Sequence, residues 1–191
     1  MDQRGIEQRP LRMINGITSE FGQVRLDGAR APAANMIGRP GEGWRVAMTI
    51  LDHEREPAEL GYVARYAKTV KELEATVRAD PGSFRSDQRE AVMWAHVQAE
   101  MLRLHVRRRL SERLESVEHG PGGSVDKLLM TWVEQVVGAA ALTVAGPRAA
   151  TDPDDVALKI YLYSRAQSVM GGTSQIQKNI VATRVLGLPT T

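Results

Sequence analysis

A chain of 191 residues is long enough for one domain with a real core and a short appendage. Its 42% hydrophobic and 25% charged composition excludes a disordered chain, and a formal charge of +2 gives no ground for a polyanionic partner. With no cysteine there is no disulfide, thiol nucleophile or thiolate metal site.

The opening Met1-Asp2-Gln3-Arg4-Gly5 has no apolar signal core. The most apolar tract, 136–146, falls short of the roughly 20 residues a membrane span needs. The chain is therefore read as soluble and cytoplasmic, with no membrane partner.

In chain order, residues 1–40 are broken by Gly5, Pro10, Gly16, Gly22, Gly28, Pro32, Gly38 and Pro40. The alternation Phe21-Gly22-Gln23-Val24-Arg25-Leu26 predicts one or two strands with loops. So small a sheet has no core of its own and must lean on other structure. Residues 42–79 read as a long helix interrupted at Pro57 and closed by Asp80-Pro81-Gly82, and 86–118 as a second. Ser124 is the expected N-cap of a third, with Asp126 in its first turn and an end at Gly146-Pro147. A fourth is expected from the cap Asp152 and Pro153 to about Val169. Thr173 or Ser174 caps the last, which runs to Leu186 and ends at Gly187. The pattern is mainly α, a helical bundle preceded by a short β piece.

Two tracts carry chemistry. Ala47, Ile50 or Leu51, Glu54, Ala58 and Gly61 fall on one helical stripe, and a carboxylate among small apolar neighbours gains basicity suited to proton abstraction. Pro57, lacking an N–H for the carbonyl of His53, kinks the helix beside it. The plainer reading of the surrounding Asp52-His53-Glu54-Arg55-Glu56 is a solvated helix face. Met170-Gly171-Gly172-Thr173-Ser174-Gln175-Ile176-Gln177 is a glycine-rich turn into a helix start, suited to a phosphate or thioester oxygen. Ser174 with Gln177 equally fits a structural capping box. The basic run Arg107-Arg108-Arg109, with Arg103 and Arg113, is followed by Glu112, Glu115 and Glu118 without interleaved aromatics. It reads as an ion-paired face, not a nucleic-acid site. His53, His96, His105 and His119 lack metal-ligand spacing, so no metal is assigned.

These tracts resemble the acyl-CoA dehydrogenase family. Gly41-Glu42-Gly43-Trp44 through Leu51-Asp52-His53-Glu54-Arg55 is similar to the passage from its middle β-domain into the first helix of its C-terminal bundle. Gly172-Thr173-Ser174-Gln175-Ile176-Gln177-Lys178-Asn179-Ile180 through Arg184-Val185-Leu186-Gly187 resembles its closing signature. The resemblance implies that residues 1–40 are the tail of the β-domain and 41–191 the C-terminal four-helix-bundle domain. It also implies FAD as cofactor, an acyl-CoA substrate desaturated between its α and β carbons, and an electron-transfer flavoprotein downstream. The family's usual catalytic glutamate precedes the Gly-Thr of the closing signature, where this chain has Gly171. A minority branch, which includes isovaleryl-CoA dehydrogenase, carries the base on the first bundle helix in a Leu-Asp-x-Glu-Arg setting, where Glu54 falls. By the same correspondence Asp52, Arg55, Gly172 and Arg184 lie toward the substrate, and Thr173, Ser174 and Gln175 toward FAD.

Two family features depart. An Arg-x-x-Phe-Gly motif expected near 78–84 is not reproduced, and a glycine-rich flavin loop is reduced to Ala145-Gly146-Pro147-Arg148. Both weigh against FAD binding by this chain alone. They resemble divergent actinobacterial subunits that assemble with a second dehydrogenase chain, so a homo- or hetero-oligomer is expected. The alternative is a non-catalytic structural subunit, or a truncated fragment, that scaffolds such a partner.

Overall fold

The computed structural model describes residues 4–54, 58–115 and 122–189, and no side chains over 52–59. It divides into two compact units, Met1–Leu51 and Asp52–Thr191.

In the first unit β1 (Ile6–Pro10) pairs antiparallel with β2 (Gly22–Leu26), from Ile6 opposite Leu26 to Pro10 opposite Gly22. Gly5 closes the open end with φ +86, and a Cβ there would lie 2.6 Å from the Asp27 carbonyl oxygen, so only glycine fits. Every residue of β2 is exposed, as a ribbon with no second layer must be. Helix α1 (Gly43–Glu54) follows, led by Glu42, whose carboxylate accepts from the Arg39 N–H at 3.0 Å.

The second unit is a bundle of α2 (Ala58–Ala79), α3 (Ser86–Glu115), α4 (Gly122–Ala145) and α5 (Val156–Ala166). Short α6 (Ser174–Ile180) continues into a π-helical turn, Val181–Val185. Val92, Ala95, Ala99, Leu102 and Val106 recur at three- and four-residue steps, giving α3 one buried stripe. That stripe packs with Tyr66 and Val70 of α2 and with Met130, Val133, Val137 and Ala140 of α4. Helix α4 is central, touching α2, α3, α5 and α6. A Cβ at Gly138 would meet Ser164 Oγ and the Tyr161 Cα at 3.2 Å, so glycine sets how closely α5 approaches α4. The architecture is the expected one: mainly α, a four-helix bundle after a small β piece.

Several boundaries move. Gly122 is already helical and Ser124 lies inside α4, buried, so it is not the cap. Asp152 is not the cap of α5 either; it accepts from the Asp154 N–H, while the Asp155 carboxylate accepts from Ala157 and Leu158 and starts the helix at Val156. The cap shifted because three aspartates compete and the last is nearest the first apolar helical turn. α5 ends at Ala166, not near Val169. Pro57 and residues 116–118 lie outside the described residues. One described helix, α4, is long and apolar enough to cross a membrane, and it is the helix around which the bundle is built.

Candidate active site

The glycine turn is held by three anchors. The Thr173 hydroxyl accepts from the Ile176 N–H at 3.2 Å and caps α6. The Ser174 N–H donates to the Ser168 carbonyl at 2.9 Å, tying the start of α6 to the end of α5. The Gln177 amide, fully buried, donates to the Gly171 carbonyl at 2.9 Å. Gln177 therefore serves the turn rather than pairing with Ser174, and the anticipated Ser174–Gln177 capping box does not form. Thr173 has the shorter reach to the first free N–H and takes the cap.

Both glycines are left-handed, with φ +64 at Gly171 and +89 at Gly172. A Cβ on Gly172 would strike the Gln177 amide nitrogen at 2.5 Å, whereas one on Gly171 would meet nothing within 4 Å. The turn is thus closed at Gly172 and open at Gly171. Thr173 and Ser174 are half-buried, while Gln175 and Arg184 are exposed. The structure brings Gly172, Thr173, Ser174 and Gln175 together by sequence adjacency, with Arg184 on the following π-helical turn. Asp52 and Glu54 belong to the last turn of α1, and their side chains lie outside the described residues, as does the whole of Arg55.

Beneath the turn α4 carries a polar row that the sequence reading passed over: Lys127, Thr131 and Glu134, all buried. Lys127 Nζ at 2.7 Å and Thr131 Oγ1 at 3.1 Å both donate to the Gln167 carbonyl, satisfying the end of α5. Glu134 accepts from Arg65 at 2.7 Å and from the Tyr66 hydroxyl at 2.5 Å. The Arg65 guanidinium also lies 4.7 Å from the Tyr62 ring centre and 5.6 Å from that of Tyr163. Burial holds the Glu134 carboxyl above its ordinary range, outweighing the Tyr66 hydrogen bond and the Arg65 charge. Burial, then the neighbouring Glu134 charge, pushes the Tyr66 phenol up, so it stays protonated as a donor. The signal was there in the sequence: polar residues at i, i+4 and i+7 in the most apolar helix.

A second buried centre adjoins the row, where α4 faces α3. Asp126 is fully buried and engages His105 at 2.6 Å, Arg109 at 3.3 Å and Arg113 at 3.2 Å. Part of the basic run is thus folded inward, and two others pair locally, Arg103 with Glu100 and Arg108 with Glu112. Among the described residues no group of acids and histidines is arranged to hold a metal.

Residues 41–186 match the family described as acyl-CoA dehydrogenase, C-terminal domain. The chain belongs to the acyl-CoA dehydrogenase family. It is 37% identical over 196 residues to the acyl-CoA dehydrogenase IpdE1 of Mycolicibacterium smegmatis, covering 99% of this chain and 47% of that protein. The IpdE1 of Mycobacterium tuberculosis is 35% identical over 192 residues, with 99% and 49% covered. The chain thus spans about half the length of these curated relatives. Among solved structures, the Tcur3481–Tcur3483 steroid ACAD superposes with a TM-score of 0.82 at 20% identity, over 99% of this chain and 50% of that one. The ChsE4–ChsE5 complex from Mycobacterium tuberculosis gives 0.76 at 21%, over 99% and 51%. At such identities these two structures speak for the acyl-CoA dehydrogenase fold.

Proposed function

We propose that this chain supplies the C-terminal bundle of a flavin-dependent acyl-CoA dehydrogenase that desaturates an acyl-CoA thioester, with Glu54 as the general base. The observation that carries this reading is the turn at Gly171. The family's usual base position is here a left-handed glycine with open space beside it, so a carboxylate from elsewhere must take the α-proton.

The residues of the turn suit one edge of a flavin. The Thr173 hydroxyl oxygen is engaged by the Ile176 N–H, which leaves its own proton to be donated outward. Ser174 is half-buried beside it and Gln175 is exposed. Thr173, Ser174 and Gln175 would hold FAD, which when bound supplies the acceptor for the β-hydride. Gly172 and Arg184 lie on the substrate side, where Arg184 offers a cation. Glu54 draws the α-proton onto its carboxylate, while Asp52 and Arg55 flank it toward the acyl chain and thioester.

Residues 1–40 are, in this proposal, the tail of the family's middle β-domain. Electrons pass to an electron-transfer flavoprotein, and the working enzyme is an oligomer in the cytoplasm. In the assembled enzyme, Glu54→Gln is expected to reduce turnover at least about a thousandfold while flavin absorbance is unchanged. Retained turnover would remove Glu54 from the mechanism.

A second reading, a non-catalytic subunit that scaffolds another dehydrogenase chain, is favoured by one feature. Where the family's Arg-x-x-Phe-Gly motif is expected, Pro81–Ser83 forms an exposed 3₁₀ turn. A colourless assembly with its partner chain would decide for it.

A further inference from the structure

The end of α5 is finished by another helix. Gln167, its C-cap, keeps helical backbone angles (φ −60, ψ −26), and Ser168, not glycine, follows it. The next backbone N–H groups pass its carbonyl by: Ser168 donates to the Arg165 carbonyl, and Val169 and Met170 donate to that of Ala166. The Gln167 oxygen is met instead by two side chains of α4, Lys127 Nζ at 2.7 Å and Thr131 Oγ1 at 3.1 Å. Gln167, Lys127 and Thr131 are 3%, 4% and 6% exposed. A carbonyl oxygen carries two lone pairs, so two donors fix its direction as well as satisfying it. An ammonium brought into the most apolar helix opposes folding unless its N–H groups are met, and an apolar side chain would serve stability as well. What the pair supplies is placement.

The segment it places is the glycine turn. Gly171 and Gly172 are both left-handed, and among the described residues no protein acceptor receives the N–H of Gly171, Gly172 or Thr173. The turn therefore hangs on bonds at its edges. One runs from the Ser174 N–H to the carbonyl of Ser168, the residue directly after Gln167. Another, from the Gln177 amide to the Gly171 carbonyl, stays within the same segment. The Gln167 anchor joins that segment to the central helix of the bundle. We infer that Lys127 and Thr131 are positioning residues for the 171–174 turn, setting its place through the Gln167 carbonyl. That this place governs the chemistry rests on the function proposed above; that it governs the turn does not.

Two double variants isolate one hydroxyl. Lys127→Met with Thr131→Ser keeps a donor to Gln167, and Lys127→Met with Thr131→Val removes it at almost the same volume. Amide exchange read by NMR on the 191-residue chain should be at least about tenfold faster at Ser174 in the valine double than in the serine double. The amides of Leu102 and Val133 should exchange alike in both. Thr131→Val compared with Thr131→Ser, each with the lysine kept, gives the same contrast at reduced size should the valine double not fold. In the assembled enzyme, kcat per bound flavin should be at least about tenfold lower in the valine double than in the serine double, with KM within about threefold. Equal exchange at Ser174 overturns the inference. So does an acceleration shared by Leu102 and Val133, which would make the pair general stabilisers of the bundle. Selective exchange with an unchanged kcat per flavin would overturn their role in the reaction. A colourless wild-type assembly would instead fell the proposed function, and the exchange contrast would still decide whether α4 sets the turn.

Discussion

At the level of single residues, the contrast between Gly171 and Gly172 governs what can be changed. A side chain at Gly172 collides with the buried Gln177 amide, while one at Gly171 faces open space and incurs only the left-handed penalty of about 1 kcal/mol. If the proton abstractor has moved to α1, a carboxylate restored at 171 should stand in for it. Combining Gly171→Glu with Glu54→Gln is therefore expected to recover at least about tenfold of the turnover lost by Glu54→Gln alone. Stopped-flow reduction by acyl-CoA measures this; no recovery would mean that the open side of Gly171 does not face the substrate. The glycine itself was legible from the sequence, since a residue that cannot act as a base is visible without coordinates. The turn's supports were not. Gln177 reads equally as a capping-box partner, and only the fold shows its amide turned back to the Gly171 carbonyl.

At the level of elements, two buried acids on α4 join helices. Asp126 links α4 to His105, Arg109 and Arg113 of α3. Asp126→Ala removes one acceptor shared by His105, Arg109 and Arg113, all three of which keep some access to solvent, while Arg109 retains Glu112. A loss of about 3 kcal/mol in urea unfolding is expected. An unchanged midpoint would show that the cluster stores no stability. Glu134 joins α4 to α2 and has its carboxyl raised by burial. Such a group binds its proton more tightly folded than unfolded. Its contribution is full below the ordinary glutamate value, near 4.5, and is lost as pH climbs through the higher folded value. Glutamine does not titrate, so the stability of the native chain relative to Glu134→Gln should fall across the interval from the ordinary glutamate value up through the higher folded one. Urea midpoints across that interval test it, and a difference independent of pH would contradict the assigned direction. Helix existence was readable from punctuation and period; Asp80-Pro81-Gly82 marks the end of α2 as expected. Caps were not, because Asp152, Asp154 and Asp155 are chemically equivalent candidates until the first apolar turn chooses one.

At the level of the whole molecule, the two units differ in what holds them. The bundle has a continuous apolar core, whereas β1 and β2 form a lone ribbon with its strand residues almost all exposed. Hydrogen exchange should therefore be biphasic: amides of Gln8 and Val24 exchange on the scale of local fraying, and those of Ala99, Leu102 and Val133 only on global unfolding. Adding the chain segment that supplies the remaining sheet should slow the first group and leave the second unchanged. Uniform protection would show that the ribbon is stable by itself. The fold class was open to a reader of the sequence because helical period and glycine punctuation are local. The polar row of α4 left its spacing in the sequence but not its purpose, because hydrophilic residues inside an apolar run look like interruptions until their partners on α2 and at the end of α5 are known.

That row has a further result for how α4 is handled during synthesis. By length and mean apolarity the helix would suit insertion into lipid. Lys127 and Glu134, with Asp126 beside them, each oppose transfer into hydrocarbon by about 2.5–3.5 kcal/mol at the depth of a bilayer centre. The side chains that tie α4 to its neighbours thus also make the emerging helix a poor substrate for the insertion machinery, and bias it toward folding among those neighbours.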